Sequence, residues 1–60
     1  MDRTKMLYKI YKACVIDENF KQALIENWYW VWERLWMDEE EKISNEVLAM
    51  VILWLESYEP

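Results

Sequence analysis

Sixty residues run without a single glycine, and the only proline is the last residue, Pro60. A β-rich chain of this size needs several tight turns, and their backbone conformations usually call for Gly or Pro. Without them the chain is left with helices joined by short connections, so the sequence predicts an all-α fold. Apolar residues make up 55% of the chain and charged residues 32%. Both fractions are high together, which suits helices with divided faces rather than a disordered chain.

The most crowded segment is Trp28–Trp36, which reads Trp-Tyr-Trp-Val-Trp-Glu-Arg-Leu-Trp and holds four of the five tryptophans. On a helix, Leu24, Trp28, Val31 and Leu35 form one apolar stripe. Ile25, Tyr29, Trp32 and Trp36 form a second, rotated by about 100°. One stripe is enough to fold against a neighbour. Two imply a second partner: another helix of the chain, another copy of it, or a different protein.

Periodicity divides the chain into a single domain of three helices. Helix 1 is expected over residues 3–15, with Leu7, Ile10, Tyr11, Cys14 and Val15 inward and Lys5, Lys9 and Lys12 outward. Asp17 is placed to cap helix 2, expected over residues 18–37, and Glu18 sits near the positive end of its dipole. Its polar side holds Gln22, Glu26 and Glu33, with Asn27 and Arg34 on a flank. Asp38-Glu39-Glu40-Glu41 has the form of a capping box, which favours a third helix over residues 39–58. A rival start lies at Ser44, with Ile43 and Leu48 placed as a hydrophobic staple. Ile43, Val47, Met50, Val51, Trp54 and Tyr58 share one face of helix 3, and Leu48, Ile52 and Leu55 widen it. The short connection between helices 2 and 3 predicts an antiparallel hairpin with helix 1 packed across it.

A chain this short buries only about 60% of the surface its unfolded form exposes. One cysteine, Cys14, excludes an internal disulfide, and the absence of histidine excludes a Cys/His zinc site. The remaining routes to stability are association and unusually dense packing. A two-fold homodimer resembling a four-helix bundle is therefore expected. Its core and self-association surface would hold Leu24, Trp28, Val31, Trp32, Leu35, Trp36, Val47, Met50 and Trp54.

Charge is divided unevenly. Residues 1–16 set Arg3, Lys5, Lys9 and Lys12 against Asp2, a net of +3; residues 17–60 set three cations against eleven acids, a net of −8. The longest apolar run, Val47 to Leu55, is too short for a membrane span. Lys9 and Lys12 interrupt any leader-type core near the N-terminus. With a single thiol, these features lead to the expectation of a soluble cytoplasmic protein.

Catalysis is poorly served. Without histidine there is no ordinary general base near neutrality. Cys14 on an apolar face reads as a small core hydrophobe rather than a nucleophile. Glu39, Glu40 and Glu41 point in different directions on a helix and read as a solvated helix start rather than a cation site. The inventory contains no metal or cofactor set.

What remains is an interaction protein, a non-catalytic regulator or adaptor that works through a helix face. Trp30 lies off both stripes, beside Met37, and with Arg34 forms the candidate partner-binding patch, because Trp and Arg dominate interface energetics. One alternative is an acidic mimic of nucleic acid presenting Asp38, Glu39, Glu40, Glu41 and Glu46. Another is direct nucleic-acid binding by Arg3, Lys5, Lys9 and Lys12, which the net charge of −5 opposes.

Overall fold

The Asp2 carboxylate accepts a hydrogen bond from the Lys5 amide at 3.0 Å and opens helix α1, Arg3–Ile16. Asp17 ends that run in an extended conformation. Its side chain accepts from the amides of Asn19 and Phe20, at 3.0 and 3.2 Å, and so caps α2, Glu18–Asn27. Trp28 lies outside helical geometry (φ −135°, ψ 47°), between α2 and α3, Tyr29–Trp36. A 3₁₀ turn at Glu40–Lys42 leads to Ser44, whose Oγ accepts from the Val47 amide at 3.2 Å and caps α4, Asn45–Ser57. The computed structural model describes residues 2–58, and every regular element among them is helical.

The single helix expected over residues 18–37 is thus two helices. A straight helix of that length measures about 30 Å, whereas the longest extent of the molecule is 28 Å. Its two ends could not both lie on one small core. Local chemistry weakens the chain at the bend. Asn27 Nδ2 donates to the Ala23 carbonyl at 2.8 Å, a side-chain bond that competes with the helix. Residues 28–32 are all aromatic or β-branched, types that lose rotamer freedom in a helix.

The start expected at residue 39 is also corrected: α4 begins at Asn45, the rival position. Asp38 closes a helix instead of opening one. It sits in the left-handed region at φ 59°, a conformation that Asp tolerates better than most residues. The Glu39 amide donates to the Arg34 carbonyl at 2.7 Å and the Asp38 amide to that of Leu35 at 3.3 Å. These two bonds form the Schellman closure of α3. Past the turn, Ile43 and Leu48, on either side of the Ser44 cap, are both fully buried in the core.

The closest pairings join α1 to α4 and α1 to α2, in place of the hairpin expected of the second and third helices. Residues 37–44 separate α3 from α4. That connection is longer than a tight helical hairpin needs, and it lets α4 cross to α1. Arg3 fastens the crossing, donating from Nη1 to Asn45 Oδ1 at 2.8 Å and from Nη2 to the Glu40 carbonyl. Lys9 meets Glu56 at 3.1 Å, an exposed pair that contributes under about 1 kcal/mol.

The core consists of Met6 and Ile10 from α1, Phe20 and Leu24 from α2, Val31 and Leu35 from α3, Ile43, and Leu48, Val51 and Ile52 from α4. No tryptophan is among them. Trp28, Trp32, Val47 and Trp54 pack around this core partly buried, whereas Trp36 and Met50 lie outside it, exposed. The Phe20 ring stands 5.3 Å from that of Trp54 and 5.7 Å from that of Tyr58. On α1 Met6 and Ile10 are buried and Leu7, Ala13 and Cys14 pack against the core, so the expected face holds at Leu7, Ile10 and Cys14 and fails at Tyr11 and Val15. Tyr11 and Val15 are exposed, because α1 meets α2 and α4 at its Met6–Ile10 side and leaves its C-terminal end uncovered.

Val31→Asp buries an unpaired charge in the core and is expected to cost several kcal/mol, enough to unfold the chain. Glu26→Gln on the exposed side should shift stability by no more than about 0.5 kcal/mol. Chemical denaturation of both variants tests the assignment of faces.

The two ends of the 37–44 connection give a second test. Ser44→Ala should cost about 1 kcal/mol. Asp38→Val should cost about 1–2 kcal/mol by forcing a β-branched residue into the left-handed region, and Asp38→Gly should cost nothing. Equal losses from Asp38→Gly and Ser44→Ala would mean that Asp38 is a helix start.

Candidate protein-interaction surface

Helix α3 has eight residues, of which four are aromatic, and only Val31 and Leu35 point fully inward. Its other two sides therefore rise as aromatic ridges flanking the buried pair. Tyr29, Trp32 and Trp36, three and four residues apart, form the first. The Trp32 and Trp36 rings stack at 6.1 Å with 20° between their planes, and the Lys21 ammonium lies 5.6 Å from the centre of the Trp32 ring. Trp36 is 76% exposed.

Trp30, Arg34 and Met37 occupy the second ridge. The Arg34 guanidinium lies 5.0 Å from the centre of the Trp30 ring, a cation–π contact of about 0.5–1 kcal/mol at an exposed site. Trp30 and Met37 are 41% and 62% exposed. The three residues expected as a partner-binding patch are thus Trp30 and Arg34 on one side of α3 and Met37 at its C-cap, with the Arg34 guanidinium over the indole.

Between the first ridge and the C-terminal end of α1 lies a cleft of about 420 Å³. Tyr11, Cys14 and Val15 of α1 line one wall, Trp32, Leu35 and Trp36 of α3 the other, and Glu18 and Lys21 of α2 close it. The Tyr11 hydroxyl donates to the Leu35 carbonyl at 3.4 Å, which ties the walls together. The helix 1 pattern places Tyr11, Cys14 and Val15 on an inward face and so does not mark this cleft. Its only sequence signal is the pair of adjacent β-branched residues, Val15 and Ile16, at the end of a helix. A wider hollow on the other side of the molecule, along α1 and α4, carries Asp2, Arg3 and Glu56 on its rim, and Arg3 is engaged within the fold.

Burial pushes the Cys14 thiol up to about 11, with Lys21 pulling the other way. The thiol is therefore neutral near pH 7 and lines the cleft as an apolar group. Tyr11 is also held above its ordinary value, first by burial and then by the charges of Glu40, Asp38 and Cys14. Glu40 Oε2 is shielded and accepts no hydrogen bond from the described residues.

The charged sequence candidates are dispersed. Arg3 and Lys9 are engaged with α4 and its approach, and Lys12 lies 6.0 Å from the centre of the Tyr8 ring. Lys5 is exposed. Glu39 pairs with Lys42 at 3.0 Å. Asp38, Glu41 and Glu46 are exposed, wound around the 37–44 connection and the first turn of α4. No helix of the described residues is long and apolar enough to cross a membrane. Comparison with protein-family models, curated proteins and solved structures finds no match to this chain.

The cleft has a pH signature. A raised thiol pKa means that the folded protein keeps a proton that the unfolded chain loses from about pH 9 upward. The associated stability is present in full below that pH and is lost as pH rises through about 11. Tyr11 adds to the same alkaline loss. The melting temperature of the wild type should fall over this range, and the fall should be shallower for Cys14→Ala and Tyr11→Phe. At pH 7–8 iodoacetamide should label folded Cys14 more slowly than it labels the denatured chain.

Proposed function

We propose that this chain is a non-catalytic regulator or adaptor that acts by helix-face protein–protein interaction and works as a homodimer. The observation that carries this reading is the double aromatic ridge of α3. A chain of this size leaves Tyr29, Trp30 and Trp36 exposed on one short helix and Met37 exposed at its C-cap, a concentration of the residue types that supply binding energy at interfaces. The chemistry for turnover is thin by comparison. There is no histidine, and the lone thiol is held neutral. The Ser44 and Ser57 hydroxyls bond to backbone at their own helix ends.

The two ridges suit two partners. Trp30, Arg34 and Met37 form a compact apolar patch with one fixed cation, suited to a different protein. The cleft side of α3 suits a second copy. Direct nucleic-acid binding gains less support, since two of its four basic residues are engaged within the fold.

Sedimentation at micromolar concentration should give twice the monomer mass of 7.5 kDa. Capture from the source cell should yield a protein partner that is lost on Trp30→Ala and held almost equally at low and physiological salt. A partner released steeply over that salt range would instead indicate the acidic-mimic reading. A stable monomer that captures nothing, or a turnover activity dependent on Cys14, would end the proposal.

A further inference from the structure

The α1/α3 cleft carries both a hollow and the projections that would fill one. Beside the hollow of about 420 Å³, Val15 is 85% exposed, Ile16 73% and Trp36 76%. Ile16 follows Val15 at the end of α1, and Val15 and Trp36 line the opening. Its closing edge carries one acid and one base of the same helix, Glu18 and Lys21. An edge of a single sign would repel its own copy. A mixed pair is self-complementary, because two-fold symmetry sets residue i of one copy against residue j of the other and j against i.

We propose that a second copy of this chain occupies the cleft in a two-fold interface. Val15 and Trp36 of each copy enter the hollow of the other, and Lys21 of each faces Glu18 of the other. This rests on the homodimer proposed above and adds its location and pairing. Burial of the exposed indole and the two β-branched side chains drives the association, and the charge pair sets its register. Asp38, near the Tyr11 end, is exposed and falls at the edge of the contact, where solvent screens it. A stable dimer at the small end of the range needs about 600 Å² from each copy, roughly one-seventh of the 4302 Å² that the chain exposes.

Charge exchange tests the pairing. E18K and K21E each place like charges across the symmetric contact, and each alone should dimerise at least about tenfold more weakly than wild type. Mixed in equal amounts they present opposite charges and should recover the dimer. Trp36→Ala removes an exposed side chain, leaves the core untouched and should also dissociate the dimer, whereas Met50→Ala, on the exposed side of α4, should not. Sedimentation equilibrium reads each case, with far-UV circular dichroism checking that each variant is folded. A wild-type dimer insensitive to E18K, K21E and Trp36→Ala, or one dissociated by Met50→Ala, overturns this interface and leaves the homodimer standing. A wild-type chain that stays monomeric overturns both.

Discussion

The bend at Trp28 is the feature on which the other contacts depend. With α2 and α3 as separate segments, Phe20 and Leu24 can face α1 and α4 while Val31 and Leu35 close the same core from a different direction. A rigid rod longer than the 28 Å molecule would have carried one of those pairs into solvent. The bend costs little locally, because Trp28–Trp32 gain less from helix than most residues do, and the Trp28 carbonyl accepts from the amides of Val31 and Trp32 at 2.9 and 3.0 Å to start the next helix. It also fixes the direction of α3, and with it which aromatics face outward.

Core volume then decides the fate of the tryptophans. Ten residues fill the interior, nine aliphatic or thioether side chains and one phenylalanine. Close packing leaves little tolerance for larger groups. An indole needs a partner for its N–H when buried, and among the described residues no polar or charged residue is buried beside this core to receive it. The tryptophans therefore surround the core instead of filling it. Trp28, Trp32 and Trp54 cover its seams, and Trp30 and Trp36 are left over. The surplus aromatic surface of α3 is a consequence of size: the chain carries more aromatic area than its interior can hold. Such surface is stable when something covers it.

Charge supports this arrangement without driving it. The basic first helix lies along the acidic remainder through Arg3 and Lys9. Of the two, Arg3 matters more, because it holds the carbonyl and the side chain that bracket the approach to α4. Each ridge of α3 also has a cation on an aromatic ring, Lys21 over Trp32 and Arg34 over Trp30. These contacts reduce the freedom of exposed indoles before any partner arrives, which lowers the ordering cost of binding.

Helicity, the Asp17 cap and the inward placing of Leu24, Val31 and Leu35 were legible in the sequence, because each follows from local patterning, although Trp28 of the same stripe falls at the bend and Leu24 lies on a different helix from the other two. The grouping of Trp30, Arg34 and Met37 was legible for the same reason. The face that α1 buries was legible only in part: Ile10 is buried and Leu7 and Cys14 pack against the core as expected, whereas Tyr11 and Val15 are exposed. The apolar residues of α1, from Met6 and Leu7 through Tyr11 to Val15 and Ile16, lie on several sides, so periodicity permits more than one choice and only the positions of α2 and α4 select Met6 and Ile10. The role of Asp38 was equally open, since the same carboxylate can cap one helix or occupy the left-handed position that ends another. The cleft beside Cys14 exists only through the meeting of α1 and α3, segments some twenty residues apart that the bend at Trp28 brings together. Local sequence sets what each segment prefers, whereas competition for one small core decides which preferences are met.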